Sequence, residues 1–375
     1  MKVLHVVGAR PNYMKTAPLF RALEEAGHAQ HLVHTGQHYD EAMSKVFFDD
    51  LGLPRPDTDL GVGSGTHAEQ TGRIMLAFEP ELRRAAPDLV VVVGDVNSTV
   101  ACSLVAAKCG VPVAHVEAGL RSFDWTMPEE INRVLTDRLS ELLFTHCPDA
   151  DRNLHREGIA PERVHRVGNI MIDSLVCHLE RAERSDALER HGLEPQGYAV
   201  LTLHRPSNVD SEPALRGILG AVCEVGRKLP VLFSCHPRTE RRLQETNGLP
   251  ESLAASNMRV VPPLGYLDFL RLVARSRLVV TDSGGLQEET TFLKIPCVTI
   301  RDNTERPITV TEGTNVLAGT DPEGIRAALR RSLGRDTSAA TVPDLWDGQT
   351  APRIVGVLER WGASRAQAPS PTPSS

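Results

Sequence analysis

The strongest constraint on the fold is an alternation that runs along almost the whole chain. Short runs of β-branched and other apolar residues alternate with amphipathic stretches of helical length. The strands that this pattern predicts are residues 3–7, 31–34, 89–93, 113–116, 142–145, 198–203, 231–234, 259–261, 278–281 and 297–300. Because the runs are nearly continuous in apolar residues, the sequence predicts an α/β protein with parallel sheets covered by helices on both faces.

Length and a change in composition indicate two domains. A chain of 375 residues is too long for one ordinary core. The composition shifts at residues 181–196, a charged stretch that precedes a new strand, so we place one domain at 1–180 and a second at 181–350. Residues 363–375 contain only Ala, Ser, Pro, Thr, Gln and one Arg, and we expect them to form a disordered tail.

The overall composition argues against several classes of partner. The formal charge is -7 and aromatic residues make up 4% of the chain, which disfavours nucleic-acid binding. The longest apolar run, residues 89–93, is far shorter than the roughly 20 residues of a membrane span, and the first residues lack a signal-peptide pattern. The seven cysteines are scattered. We therefore expect a cytoplasmic protein with no membrane partner, no disulfide and no zinc site.

Polar residues and glycines follow five of the predicted strands. Ligands of parallel sheets bind beyond the carboxyl ends of the strands, so these positions are candidate site residues. They are Arg10, Lys15, Asp95, Glu117, His204, Ser283, Gly284 and Gly285.

Ser283, Gly284 and Gly285 stand between an apolar strand and a helix. The backbone N–H groups of such a helix N-terminus can bind a phosphate, and glycine lets the ligand approach closely. The alternative is a tight turn that binds nothing. Arg10 and Lys15 follow the first strand, where they would serve an anionic ligand or remain solvated charges.

Carboxylates and one histidine form a second group of candidates. Asp95 and Glu117 end apolar strands, where a carboxylate has no packing role, although Asp95 would also suit a helix cap. Glu129 lies in the first turn of a predicted helix, with Arg133 four residues later. Acidic residues also occur there simply because they interact favourably with the helix dipole. His204 leads from a strand into a loop, which favours a functional role.

Common cofactor motifs do not occur in the sequence. There is no G-x-x-x-x-G-K-[ST] motif, no G-x-G-x-x-G fingerprint after a strand, and no His or carboxylate spacing typical of a metal site. We therefore expect neither a cofactor nor a metal.

Taken in order, these motifs resemble one known family. They are Gly8-x-Arg10-Pro11 with Lys15, Gly94-Asp95, His115-Val116-Glu117-Ala118-Gly119-Leu120-Arg121, Pro128-Glu129-Glu130-x-Asn132-Arg133, Gly168-Asn169, His204-Arg205, Asp282-Ser283-Gly284-Gly285-x-Gln287-Glu288-Glu289 and Arg301-Asp302-x-Thr304-Glu305-Arg306-Pro307. Over residues 2–361 the chain closely resembles the non-hydrolysing UDP-N-acetylglucosamine 2-epimerases.

The resemblance implies a fold and a homodimer. The fold consists of two Rossmann-like domains that face each other across a cleft, of the GT-B type, with a C-terminal helix at 350–362 that returns to the first domain.

The resemblance also implies roles for individual residues. The UDP would contact Ser283, Gly284, Gly285, Glu289 and Arg306, with Phe269 near the uracil and Glu289 on the ribose. The sugar and its leaving group would be surrounded by Arg10, Lys15, Asp95, Glu117, Glu129, Arg133 and His204.

The implied reaction is the reversible epimerisation of UDP-N-acetylglucosamine at C2 to UDP-N-acetylmannosamine. Since no nicotinamide site is predicted, we expect elimination of UDP to 2-acetamidoglucal followed by re-addition. Two of Asp95, Glu117 and Glu129 would be the acid–base pair, the third would orient the sugar, and His204 would contact the diphosphate.

Four alternatives remain open on the sequence. They are a hydrolysing 2-epimerase that releases N-acetylmannosamine and UDP, a GT-B glycosyltransferase, a non-catalytic nucleotide-sugar sensor, and a 2-epimerase for a related UDP-diacetamido sugar.

Overall fold

The computed structural model describes residues 1–37, 51–246 and 249–367. The chain divides into two compact units. The first unit comprises Met1–Leu120, Asp124–Ser174 and Leu345–Ser375, and the second comprises Arg121–Phe123 and Leu175–Asp344.

A parallel sheet forms the centre of the first unit, and seven of its strands lie in the described residues. In chain order, β1 to β7 are Lys2–Val7, Ala29–His34, Thr58–Asp59, Leu89–Val93, Val113–Val116, Leu142–Thr145 and Val164–Arg166. Their order across the sheet is β3-β2-β1-β4-β5-β6-β7, with every neighbouring pair parallel. The direction in which the strands are added therefore reverses between β1 and β4.

The second unit repeats this architecture with six strands in the described residues. In chain order, β8 to β13 are Ala199–Thr202, Val231–Ser234, Met258–Val261, Leu278–Thr281, Cys297–Thr299 and Asn315–Leu317. Their order is β10-β9-β8-β11-β12-β13, again entirely parallel, and it reverses between β8 and β11.

Helices connect the strands, as crossovers between parallel strands require. Within the described residues, α1 to α16 are Arg10–Glu25, His67–Ala85, Asn97–Lys108, Pro128–Leu139, Pro148–Arg156, Ile170–Glu183, Ala187–Arg190, Pro206–Val209, Glu212–Gly226, Pro237–Glu245, Leu249–Ala255, Tyr266–Ala274, Gly284–Phe292, Ile308–Thr311, Pro322–Leu333 and Thr350–Gln367. None of these helices is long and apolar enough to cross a membrane.

The last helix, α16, belongs to the core of the first unit. Ile354 and Leu358 are fully buried in a cluster that includes Leu19 and Leu89. The buried Asp173 carboxylate accepts hydrogen bonds from the backbone N–H groups of Thr350 (3.1 Å) and Ala351 (2.7 Å), which fixes the start of the helix. The chain therefore returns to its first sheet after completing the second.

Helix α16 runs to Gln367, five residues beyond the predicted end at 362. Ala, Arg and Gln are good helix formers, and the Arg365 guanidinium lies 5.0 Å from the centre of the Trp361 ring and 3.4 Å from a Glu141 oxygen. The rest of the predicted disordered tail, 368–375, lies outside the described residues.

The predicted fold class, α/β with parallel sheets covered by helices, is confirmed. Each of the ten predicted strands is present, with ends within two residues of the prediction. Three strands, β3, β7 and β13, were not predicted.

Candidate functional site

In each unit, the strand order reverses at a point where candidate residues of the sequence collect. A doubly wound sheet binds ligands beyond the carboxyl ends of its strands at such a reversal. In the first unit, α1 follows β1 and carries Lys15, while Asp95 follows β4. In the second, His204 follows β8 and Ser283 follows β11.

The turn between β1 and α1 is fastened to the end of β4. The Asn12 side-chain oxygen accepts hydrogen bonds from the backbone N–H groups of Gly8 (3.1 Å) and Ala9 (2.9 Å), and its amide donates to the carbonyl of Val93 (3.0 Å). Arg10, a predicted site residue, begins α1. The Arg10 side chain lies outside what the structure describes.

Lys15 and Glu117 form a buried ion pair. The Lys15 ammonium donates to Glu117 Oε2, and each residue is only 6% exposed. Gly94 allows this approach, since a Cβ there would lie 3.0 Å from Lys15 Nζ and 3.4 Å from Glu117 Oε2. Glu117 itself has φ +74°, a strained conformation for a residue other than glycine. The structure thus holds this carboxylate in place at a conformational cost.

Asp95 is held by two consecutive residues of α4. The Arg133 Nη1 donates to Asp95 Oδ2, and the Asn132 amide donates to the Asp95 carbonyl at 2.9 Å. The Asp95 side chain remains 28% exposed, whereas that of Arg133 is only 2% exposed. Because the N-cap of α3 is Val96, and no side chain caps that helix, Asp95 does not take the alternative role of helix cap.

Glu129 and its neighbour Glu130 have opposite environments. Glu130 is 1% exposed and accepts from Arg133 Nε and Nη2 at 3.1 and 2.7 Å. Glu129 is exposed, and no hydrogen bond or ion pair joins it to another described residue. The structure therefore joins Lys15 to Glu117 and Arg133 to Asp95, whereas Glu129 is exposed in the first turn of α4. Sequence reasoning missed Glu130, although its spacing of three from Arg133 also places the two on one helix face.

A second residue pair that sequence reasoning missed lies beneath these strand ends. His115 of β5 and Asp137 of α4 are both fully buried, with 2.6 Å between His115 Nδ1 and Asp137 Oδ1. The sequence placed His115 within a motif but assigned it no partner. The sequence sets Asp137 four residues after Arg133, on the same face of α4, but this spacing alone does not distinguish it from a surface residue.

In the second unit, the buried Asp282 organises the loop after β8. Its carboxylate accepts from the backbone N–H groups of His204 and Arg205, from the Asn208 amide, and from His204 Nδ1 at 2.7 Å. Burial opposes ionisation of Asp282, but the His204 ring and the backbone N–H groups hold its pKa below the usual range. The His204 side chain is 48% exposed, so its other ring nitrogen is accessible to a ligand.

The N-terminus of α13 is built from small residues. Ser283 is the N-cap, its side chain makes no capping hydrogen bond, and no acidic residue occupies the first turn. A Cβ on Gly284 would lie 2.5 Å from Arg306 Nη1, so glycine permits the guanidinium to lie against this helix end. Since helix N-termini and guanidinium groups both attract anions, this is a suitable place for a phosphate.

Carboxylates hold Arg306 in this position. Its Nε lies 2.9 Å from Glu288 Oε1, and its Nη1 donates to Glu305. Glu305 also accepts from Arg301 Nη2 at 2.7 Å. Sequence reasoning identified Arg306 but not this buried network, because residues 288 and 305 are brought together only by the tertiary fold.

The two remaining predicted UDP-binding residues lie on neighbouring elements of the second unit. Glu289 is buried on α13; burial raises the pKa of Tyr266, and the nearby Glu289 carboxylate raises it further. Phe269 of α12 packs against the apolar cluster that contains Leu286 of α13.

A metal site is not evident in the described part of the chain. No group of three or more His, Cys, Asp or Glu side chains there is arranged to hold a metal ion. The described side chains offer paired carboxylates and cations in one unit and a helix end suited to an anion in the other.

Comparison with known proteins connects this arrangement to one family. Residues 21–359 match a family model described as UDP-N-acetylglucosamine 2-epimerase. A protein of that name from Methanocaldococcus jannaschii is 43% identical over 363 residues, which is 96% of this chain and 99% of the relative. A UDP-2,3-diacetamido-2,3-dideoxy-D-glucuronate 2-epimerase from Pseudomonas aeruginosa is 41% identical over 93% of this chain and 95% of its own length.

Solved structures give the same result. The UDP-GlcNAc 2-epimerase of Methanocaldococcus jannaschii in complex with UDP-GlcNAc and UDP superposes with a TM-score of 0.90, at 43% identity and covering 96% of this chain and all of that one. The Neisseria meningitidis enzyme bound to UDP-GlcNAc gives a TM-score of 0.87 at 28% identity, covering 96% of this chain and 100% of that one.

Proposed function

Because the chain belongs to the UDP-N-acetylglucosamine 2-epimerase family, we propose that it interconverts UDP-N-acetylglucosamine and UDP-N-acetylmannosamine reversibly, without net hydrolysis. One observation supports the proton transfer that this reaction requires. Asp95 and Glu117 follow two neighbouring strands of one sheet, and each is joined to a cation, Arg133 or Lys15. Carboxylates fixed in this way are suited to proton transfer at carbon.

Elimination is the economical route to inversion at C2. The C2–H bond and the C1–O bond break, a C1=C2 double bond forms, a carboxylate takes the proton, and UDP leaves with the electron pair. UDP then returns to C1 of 2-acetamidoglucal while a proton is delivered to C2 from the opposite face. The reaction therefore requires one acid–base group on each face of the ring and a site that stabilises departing diphosphate.

We assign these requirements to residues of both units on the strength of the family to which the chain belongs. Two of Asp95, Glu117 and Glu129 exchange the proton, and the third orients the sugar. Diphosphate binds at the N-terminus of α13, where Ser283, Gly284, Gly285 and Arg306 surround it; His204 supports its departure. Glu289 contacts the ribose and Phe269 the uracil, while Arg10, Lys15 and Arg133 offset charge around the sugar and leaving group.

The central experiment is incubation of the purified protein with UDP-N-acetylglucosamine in deuterium oxide. We expect proton NMR to detect UDP-N-acetylmannosamine and deuterium at C2 of both sugars, with no UDP accumulating in phosphorus NMR. Epimerisation without deuterium exchange would exclude elimination. Accumulation of UDP and free N-acetylmannosamine would identify a hydrolysing enzyme instead.

The same assay assigns the proton-transfer groups. A variant that lacks only the group on the N-acetylmannosamine face still eliminates UDP and re-adds it to reform the starting sugar. It should therefore exchange C2 of UDP-N-acetylglucosamine with solvent without epimerising it. D95N, E117Q and E129Q are the variants to compare. A variant that still binds UDP-N-acetylglucosamine with wild-type affinity but stops both exchange and epimerisation lacks the base on the N-acetylglucosamine face.

A second candidate substrate is a UDP-2,3-diacetamido-2,3-dideoxy-D-glucuronate, because the Pseudomonas aeruginosa relative acts on that sugar and is 41% identical. A panel of UDP-sugars in the same assay separates the two. Higher kcat/KM for the diacetamido sugar would reassign the substrate and leave the elimination chemistry in place.

Two other functions give distinct results in this assay. A glycosyltransferase would leave UDP-N-acetylglucosamine unchanged until an acceptor is added. A sensor would bind UDP in calorimetry and turn over nothing, so catalytic exchange at C2 excludes it.

We also propose that the protein is a cytoplasmic homodimer. The family resemblance supports a homodimer, and the exposed apolar side chains of Leu76 of α2 (78%) and of Ile131 and Leu135 of α4 (41% and 48%) are candidates for its interface. Light scattering should give twice the chain mass of 40.9 kDa, and the L135K variant should shift this value toward the monomer. A monomeric wild type would refute the proposal.

A further inference from the structure

The His115–Asp137 pair takes no part in the proposed proton transfer. It is hydrogen-bonded to the strand ends that carry Asp95 and Glu117. Both side chains are 0% exposed, so neither can reach a substrate. A buried polar pair is expensive to desolvate unless its hydrogen-bonding groups have partners, and here both ring nitrogens of His115 and both carboxylate oxygens of Asp137 have one.

The hydrogen bonds of the pair lead to the two strand ends that carry Asp95 and Glu117. His115 Nε2 lies 2.8 Å from the carbonyl oxygen of Gly94, the residue before Asp95. Asp137 Oδ2 accepts from the backbone N–H of Gly119 at 3.1 Å, two residues after Glu117. A carbonyl oxygen can only accept, so His115 Nε2 carries the proton in this bond.

This connection acts where the backbone is strained. Glu117 holds φ +74°, and such a conformation persists only when the surroundings over-determine it. The backbone N–H of Glu117 donates to the Phe144 carbonyl at 3.1 Å, which holds one side of the strained residue. The Gly119–Asp137 bond holds the other side.

Helix α4 contacts both the Asp95 strand end and the loop that carries Glu117. Asn132 and Arg133 bind the backbone and side chain of Asp95, and Asp137 follows one turn later. A single rigid helix thus sets the positions of Asp95 and the Glu117 loop together.

We propose that His115 and Asp137 are positioning residues that fix the Gly94–Asp95 and Glu117–Gly119 strand ends relative to each other. They act through hydrogen bonds and not by exchanging a proton with substrate. The inference rests on the proposed function for its two kinetic tests, whereas hydrogen exchange tests it independently of activity.

The first test uses D137A against its conservative counterpart D137N. Asparagine can accept from Gly119 and donate to His115 Nδ1, so it preserves the connection without the charge. Since small displacements of reacting groups cost up to ~100-fold, we expect D137A to lower kcat at least ~10-fold with KM within ~2-fold, and D137N to recover most of the rate.

A matched control is E81A. Glu81 pairs with His31 at 2.7 Å in the same unit, but near the amino end of β2. It should lose thermal stability without losing kcat. Equal kcat losses in D137A and E81A, or a D137A rate equal to the wild type, would overturn the proposal.

The second test separates the two ends of His115. The Gln amide nitrogen superposes on Nε2 and can still bind the Gly94 carbonyl, whereas the Asn amide nitrogen superposes on Nδ1 and reaches only Asp137. We therefore expect H115Q to be several-fold more active than H115N. Equal activities would contradict the connection through Gly94, and this pair decides the matter even if D137A fails to fold.

The activity-independent readout is hydrogen exchange by mass spectrometry. D137A should speed exchange in peptides covering residues 117–121, and E81A should not. If the wild type fails to epimerise UDP-N-acetylglucosamine, the proposed function fails while this measurement still tests the positioning role. Unchanged exchange in D137A would refute the positioning role even if the enzyme is an epimerase.

Discussion

The two units place their candidate residues at equivalent points of the same topology but use carboxylates in opposite ways. In the first, Asp95 and Glu117 stand at strand ends with a cation on each. In the second, Asp282 is fully buried and its oxygens accept from the loop after β8, while the partly exposed groups are glycines at a helix N-terminus.

This difference shows that the doubly wound topology determines where a site lies, but not which reaction or ligand the site serves. A carboxylate that is to exchange protons must be fixed where a substrate can meet it: Asp95 is 28% exposed and held by Arg133, and the less exposed Glu117 is held by Lys15. A carboxylate that only shapes a loop can have its oxygens occupied by hydrogen bonds. The helix N-terminus in the same unit then remains available to an anion. Each prediction below tests one side of this contrast.

The largest effect is expected for E117Q in the first unit. Loss of a general acid or base costs ~10²–10⁴-fold in rate, so kcat should fall by that factor. UDP affinity in calorimetry should stay within ~2-fold of the wild type, because the diphosphate is held by the second unit. The exposed E79Q, whose partner is Arg83, serves as control. A parallel loss of UDP affinity would make Glu117 a binding group and break the contrast.

A smaller effect is expected for G284A in the second unit. The added Cβ would displace the Arg306 guanidinium, and a charged hydrogen bond contributes ~1.5–3 kcal/mol, so UDP affinity should fall ~10–100-fold. Calorimetric titration with UDP measures this. The matched control is G220A in α9, where a Cβ would meet nothing within 4 Å. Unchanged UDP affinity in G284A would remove this helix end from the proposed diphosphate site.

The D282N variant should affect stability rather than binding chemistry. An amide nitrogen facing N–H donors leaves a buried group unsatisfied, which costs ~1–3 kcal/mol in the free energy of unfolding at pH 7. Since hydrogen bonds hold the folded pKa of Asp282 below its unfolded value, its contribution is present above ~pH 4 and is lost as the pH falls through the folded pKa. Urea unfolding at pH 7 and pH 3 should therefore give a difference between wild type and variant that shrinks in acid. A constant difference would contradict this account.

The smallest effect is expected for H204N. The asparagine amide can replace His204 Nδ1 on Asp282, so stability should change little while the exposed ring nitrogen is lost. One hydrogen bond of ~0.5–1.5 kcal/mol corresponds to a ~3–10-fold lower kcat. A steady-state assay at saturating substrate measures it, with thermal unfolding as control. A loss comparable to that of E117Q would move His204 into the proton-transfer step.

Most of the fold could be predicted because central strands of parallel sheets are apolar on both faces. Residues 89–93 are Leu-Val-Val-Val-Val and fully buried. The strands that were missed are β3, β7 and β13, which contain two or three residues and stand at sheet edges. An edge strand has a neighbour on one side only, so it needs neither the length nor the apolar run that identifies a central strand.

The candidate site was less fully predictable than the fold. Asp95 and Glu117 could be found because a charge at the end of an apolar strand has no packing explanation, and Lys15 because it lies in the helix that follows the first strand. Glu130 and Asp137 could not be distinguished from ordinary helical surface residues, since only the tertiary fold buries them against Arg133 and His115. The sequence thus reveals groups that face a ligand more readily than groups that support them.

The return of α16 to the first unit has a consequence for synthesis on the ribosome. Ile354 and Leu358 complete a core begun by β1 and α1, so the first half of the chain emerges before the segment that seals it. The second unit, almost entirely contained in Leu175–Asp344, is translated whole in the interval. The order of maturation is therefore expected to invert the order of the sequence, with the later unit reaching its final packing first.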